Sequence, residues 1–219
     1  MFKKKLMILL AVCMIPLLFS FCSSHNGSGG NNSEQLSSAG DSATKEDSNN
    51  KTYIVGETGP AGGIVFYVNA NEQADGWKYL EAAPSDQSNG QVWSNITNLA
   101  VGAGSGSGIG TGITNTAIIL AQAGHTASAA KLCSELVING YNGWFLPSRE
   151  ELKQMYMELK AKGLGALLGN QYWSSTSSFS DIAWAIQFNK CESCSLDNNG
   201  VGMYWPKDTP SAVRCVRSF

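Results

Sequence analysis

Histidine is nearly missing from this chain. There are two in 219 residues, and His125 is the only one beyond position 25. A zinc site built on Cys191-Glu-Ser-Cys194 would need two more ligands, and the histidine supply cannot provide them. A Ser-His-Asp or Cys-His arrangement would have to use His125. That residue lies in Ala-Gly-His-Thr-Ala between two apolar segments, where an imidazole bonded to backbone at a helix end is expected. Charge is scarce too, at 15% of residues with a net of −2. No basic stripe exists, which argues against a nucleic-acid partner. Glu150 and Glu151 are adjacent on one helix and point to different faces, so a paired-carboxylate glycosidase site is not expected.

Long apolar runs are absent except for Leu6 to Phe21, which follows Lys3, Lys4 and Lys5 and ends at Cys22. This run falls short of the ~20 residues that a spanning helix needs, and no positive stop-transfer flank follows it. It reads as a signal segment over 1–21. Cys22, followed by Ser23 and Ser24, resembles the acylated cysteine of a bacterial lipoprotein, with Phe21 where a small residue is usual. Lipidation at Cys22 is the expectation, and with it an exported protein held at the outer membrane or cell surface. Loss of the signal removes three basic and no acidic residues, leaving a net charge of −5.

From position 22 to 51 the chain is almost wholly Ser, Gly, Asn, Asp, Glu and Lys, a composition that cannot offset its ordering entropy. It reads as a disordered tether, spanning on the order of 30 Å by random-coil scaling. Residues 52–219 have the length of one domain with a real core.

Glycine is plentiful, with 24 residues, and Val101 to Gly112 is rich in it, so a surface loop is expected there. No G-x-G-x-x-G register fits, no Lys-Ser/Thr follows, and Ser105 and Ser107 fail the nucleophile-elbow pattern. Gly63 to Val68 and Trp77 to Ala82, either side of an Asp75-Gly76 turn, predict a hairpin. Helices are predicted over Thr114 to Ala123 and Ser128 to Ile138. The stretch Gly140 to Leu152 reads as an aromatic strand that ends at Pro147 and enters a helix through an S-x-x-E capping box, Ser148 with Glu151. Leu152, Met155, Tyr156 and Leu159 give that helix one apolar stripe, with Gly163 as a stop. Short strands are predicted at Tyr172 to Ser175, Ala183 to Phe188, Val201 to Trp205 and Ala212 to Val216. Strands, then helices, then strands predict an α+β fold with a mainly antiparallel twisted sheet and two to three helices.

In this order, GY-x-GWFLPS-x-x-EL, YWSST, AWAIQF and VRCVR resemble the C-terminal domain family of Lcl, the bacterial collagen-like adhesin, over nearly all of Tyr53 to Phe219. The family is C-type-lectin-like and distantly similar to formylglycine-generating enzymes. The long collagen-like region is absent, since Gly56, Gly59 and Gly62 are far too few for a triple helix.

Beyond Cys22 four cysteines remain, and an even count in an oxidising compartment suggests two disulfides. The resemblance implies Cys133 with Cys215, leaving Cys191 and Cys194 as a local loop; a redox pair or half a zinc site are the other readings of that motif. The lectin-like resemblance also implies ligand contacts in the late loops. There Asp197, Asn198, Asn199, Tyr204, Trp205, Lys207 and Asp208 combine amides, charges and two aromatics, suited to a sugar or a protein ligand. Core placement of Tyr204 and Trp205 in the sheet, beside Trp144, Trp173 and Trp184, is the competing expectation. E-P-N, Q-P-D and W-N-D triplets are lacking, so calcium is not implied; with the thin supply of ligating and catalytic groups noted above, no metal, other cofactor or catalytic residue is expected. The resulting expectation is a surface-displayed binding module. A structural envelope lipoprotein without its own ligand is the alternative, and an enzyme related to the formylglycine-generating oxidases the third.

Overall fold

The computed structural model describes residues 51–101, 105–169, 171–177, 179–189 and 201–219. The chain is α+β, with two small sheets joined through one corner near the C-terminus. The first sheet holds β1 (Ile64–Val68), β2 (Tyr79–Ala82) and β8 (Val216–Ser218) in the order β1-β2-β8, all antiparallel. The predicted hairpin is therefore present, with a short helix α1 (Glu72–Asp75) in its connection, closed by Gly76 at φ 75°. The second sheet has the order β3-β7-β4-β5-β6, from β3 (Ser88–Gln91), β4 (Gln171–Trp173), β5 (Ile182–Gln187), β6 (Val201–Pro206) and β7 (Ser211–Val213). All its pairings are antiparallel except β4 with β7.

Two corrections concern the C-terminal half of the sequence reading. Ala212 to Val216 is not one strand. It leaves the second sheet at Val213 and joins the first at Val216, with Arg214 and Cys215 forming the corner. Gly140 to Leu146 is not a strand either, apart from two isolated bridges, Tyr141 with Ile138 and Phe145 with Val216, the latter pair exchanging N–H···O bonds of 2.8 and 3.0 Å. The reason lies in its small residues. Asn139 (φ 52°) and Gly140 (φ 82°) make the tight reversal that pairs Ile138 with Tyr141, as the Asn-Gly pair favours, and Gly143 (φ 78°) turns the chain again. Trp144 and Phe145 then bury themselves in different cores.

Between the sheets' strands lie α2 (Gly112–Leu120), α3 (Ala129–Ser134) and α4 (Arg149–Glu158). The capping box of α4 is complete: Ser148 Oγ accepts from Glu151 N, and Ser148 N donates to Glu151 Oε2 at 2.7 Å. Leu152, Met155 and Leu159 bury the expected stripe, and Gly163 (φ 72°) ends the 3₁₀ turn Lys160–Lys162 that follows. Those residues join Phe66, Leu80, Tyr172, Ile186 and Phe188 in one core. Trp93, Trp144, Trp173, Ile119, Cys133 and Cys215 belong to the other. Each face of the larger sheet thus has its own apolar cover, and the disulfide Cys133–Cys215, Cα–Cα 5.3 Å, ties α3 to the corner.

Candidate functional site

Tyr204 and Trp205 are neighbours on β6, so their side chains leave the sheet on opposite faces. Trp205 is half-buried and packs against the core that contains Trp93 and Trp173. Tyr204 is 40% exposed on the other face. Its cross-strand partner is Trp184 on β5, and the two rings meet edge to face at 4.6 Å and 83°. Phe179, 56% exposed, stands edge-on to Tyr204 at 5.9 Å. The Arg149 guanidinium lies 5.2 Å from the Trp184 ring centroid and pairs with Glu150 at 2.8 Å. Gly202 on β6 pairs with Ile186, diagonal to Trp184, and any Cβ there would run into the indole. This glycine is a packing requirement of the site, since it lets the large ring lie across the strand.

The remaining candidates fall differently. Lys207 is fully buried; its ammonium donates to the carbonyls of Leu99 and Ser180, both at 2.8 Å, and sits 4.7 Å from the Trp93 ring centroid. Burial pulls its pKa down to about 8. Asp208 is exposed. Cys22, Cys191, Cys194, Asp197, Asn198 and Asn199 lie outside the described residues. Trp144 and Trp173 are core, whereas Trp184 is only half-buried.

Sequence reasoning passed over Phe179 and Arg149. A lone aromatic in a Ser- and Asp-rich connection was the available signal for Phe179. Arg149 carried none, because its place over Trp184 depends on how α4 crosses β5.

The site is framed by the glycine-rich segment after residue 105, which is half-buried and firmly bonded rather than a bare surface loop. Asn115 exchanges two hydrogen bonds with Gly106, Thr176 Oγ1 donates to Gly106 O, and Glu150 N donates to Ser107 O. Glu151 is buried and has no ion pair among the described residues. Its Oε1 accepts from Gly110 N at 2.7 Å and Gly112 N at 3.4 Å, and Oε2 from Ser148 N. Burial pushes its carboxyl up to about 7, against the pull of those N–H groups.

His125 Nε2 lies 2.8 Å from Ser128 Oγ, but that hydroxyl is buried and caps α3 by accepting from Lys131 N. Burial, then Lys131, lowers the imidazole pKa. The cavity beside it, lined by Gln91, Thr126, Ser128, Lys131 and Glu135 among others, measures about 130 Å³, and ligand pockets are typically ≈ 300–1,000 Å³. Among the described residues there is no group of three His, Cys, Asp or Glu that could hold a metal ion, and no helix long and apolar enough to cross a membrane.

The α+β domain carries an aromatic, partly exposed face on β5 and β6, and the family whose model matches it, the Lcl C-terminal domain, suggests an extracellular or surface binding module at most. The family model of the Lcl C-terminal domain matches residues 83–217, more than half of the chain, and the protein belongs to that family. The match begins just past β2, later than the resemblance to Tyr53 suggested, yet β8 pairs with β2, so the leading hairpin is part of the same folded body. No curated protein matches the chain.

Proposed function

We propose that the protein is an exported lipoprotein, anchored through Cys22, whose C-type-lectin-like domain binds a glycan or an extracellular protein at the aromatic face of Tyr204, Phe179 and Trp184. The observation that carries this reading is the exposure of two rings side by side, Tyr204 and Phe179, over a half-buried third. Aromatic faces left open in this way supply large contact area at low entropic loss. Arg149, Glu150 and the Ser105–Ser107 backbone around them offer polar contacts at the rim. In this reading the domain is a binder and not an enzyme; the shielded Ser128 hydroxyl supports that assignment.

Tyr204→Ala and Phe179→Ala should each weaken binding to the cognate glycan or matrix protein by about tenfold or more, since an aromatic hot spot typically contributes ~2 kcal/mol. Their melting temperatures should stay near wild type. Array and matrix-protein binding measured side by side with thermal denaturation decides the matter. Absence of binding to every ligand, together with a cross-linked partner in the envelope, would assign the chain as a structural lipoprotein instead.

A further inference from the structure

The loop after α4 carries four exposed apolar residues within eight positions: Ala161, Leu164, Ala166 and Leu168, the last 80% exposed. Such residues usually turn inward when the chain is free to move, but here it is fastened. Arg214, buried beneath, donates from Nη1 to Gly165 O at 2.8 Å and from Nη2 to Ala166 O at 3.0 Å. Lys160 Nζ donates to Leu167 O at 2.7 Å, Leu167 itself is buried, and Ala166 is held at φ 44°. The fold therefore holds Leu164 and Leu168 outward.

The turn at the start of the domain completes the patch. Ile54 is 65% exposed, and Gly56 abuts Leu164, where a Cβ would stand 3.5 Å from its Cδ1. Along the chain Lys51 precedes Ile54, and Lys160 and Lys162 precede Leu164; the Lys51 ammonium stands 4.3 Å from the Tyr53 ring centroid, Lys160 is bonded to Leu167 O and Lys162 is paired with Glu158, while the Glu57 carboxylate turns back to accept the Ile54 N–H. This is also where the polar stretch that follows the apolar run Leu6 to Phe21 enters the fold.

We infer that this leucine loop and the Ile54 turn form a membrane-contact face, on which the domain rests against a lipid surface. Apolar side chains held rigidly outward, with lysines close by in the chain, fit the boundary between acyl chains and headgroups. With the Cys22 anchor proposed above, on which this inference rests, the event is intramolecular, so a patch of three large apolar residues suffices where it would be too weak for free protein. The aromatic face lies at the other end of α4, because Arg149 opens that helix and the leucine loop follows its close; the helix alone separates them by about 15 Å. Lipid contact on the leucines thus leaves Tyr204 and Phe179 uncovered.

Hydrogen exchange of the full-length chain, with and without vesicles of phosphatidylethanolamine and phosphatidylglycerol, tests this. Amides from Lys160 to Gly169 and at Ile54 to Glu57 should slow severalfold on vesicles, while those of Tyr204 to Pro206 stay unchanged. Leu164→Ser with Leu168→Ser should return the exchange to lipid-free rates at an unaltered melting temperature. Leu168→Ser alone, at the most exposed position, covers the case in which the double variant folds poorly. Equal rates with and without vesicles, or vesicle protection that persists in the serine variants, would overturn the inference. Neither outcome depends on whether Tyr204 binds a ligand, and the chain used is one that mass spectrometry shows to be acylated at Cys22, so failure of the anchor is read separately from failure of the contact face.

Discussion

Glu151 shows how one residue can serve two structures. As the third residue of α4 it completes the capping box, and the same carboxyl reaches Gly110 and Gly112 to hold the glycine-rich segment against the helix. Its carboxyl titrates near 7 in the folded chain and near 4.5 when exposed. Between those values the unfolded chain has released the proton that the folded chain keeps, so this group makes stability fall as pH rises from about 4.5 to 7, by up to about 3 kcal/mol. Glu151→Gln should flatten that slope in urea denaturation measured across the window. It should also lower stability throughout by about 1–3 kcal/mol, because an amide NH₂ must then face a backbone N–H. A wild-type slope no steeper than that of the variant would refute the assignment. Glu81 leaves a smaller slope of the same sign in both proteins, since burial raises its pKa while Arg217 opposes the shift.

At the scale of elements, the pairing of β5 with β6 makes the aromatic face, and its geometry hangs on Gly202. The backbone there needs no left-handed conformation; only the space matters, since Trp184 occupies the volume of a Cβ. Gly202→Ala should therefore displace the indole, break its edge contact with Tyr204, and destabilise by about 1–3 kcal/mol as other overpacked sites do. Near-ultraviolet circular dichroism should change with it. A variant with an unaltered spectrum and unaltered ligand binding would mean that Trp184 does not set the position of Tyr204.

Much of this layer was legible beforehand. The capping box, the α4 stripe, the hairpin and the strands at Tyr172, Ala183 and Val201 all carry local signals. β3 did not: Ser88–Gln91 is wholly polar and exists only because β7 pairs with it. The division at Arg214 and Cys215 was equally hidden, because an alternating run reads as a single strand whether or not it changes sheets midway. The face itself was half legible, with Tyr204 named from its aromatic, amide-rich surroundings and Phe179 and Arg149 supplied by tertiary packing.

At the scale of the molecule, the Arg214–Cys215 corner is where the two sheets and both cores meet. Arg214 is buried with Nε 2.7 Å from Asp86 Oδ1 and donates Nη1 to Ala83 O as well, so the corner is fixed to the segment that leads from β2 in the first sheet to β3 in the second. Cys215 fixes it to α3 across a sequence separation of 82. In the chain-entropy model a loop of that length is worth about 4 kcal/mol, acting on the unfolded chain. The cross-link belongs to neither sheet alone, so its loss should lower both together. Cys133→Ala with Cys215→Ala should shift a single cooperative unfolding transition to lower urea, with tryptophan fluorescence and far-ultraviolet circular dichroism moving in step. If the two signals separate, the corner does not couple the sheets and the domain unfolds in parts. If the loss is under about 1 kcal/mol, the bridge merely decorates a corner that Arg214 already holds, as engineered cross-links with little effect also show.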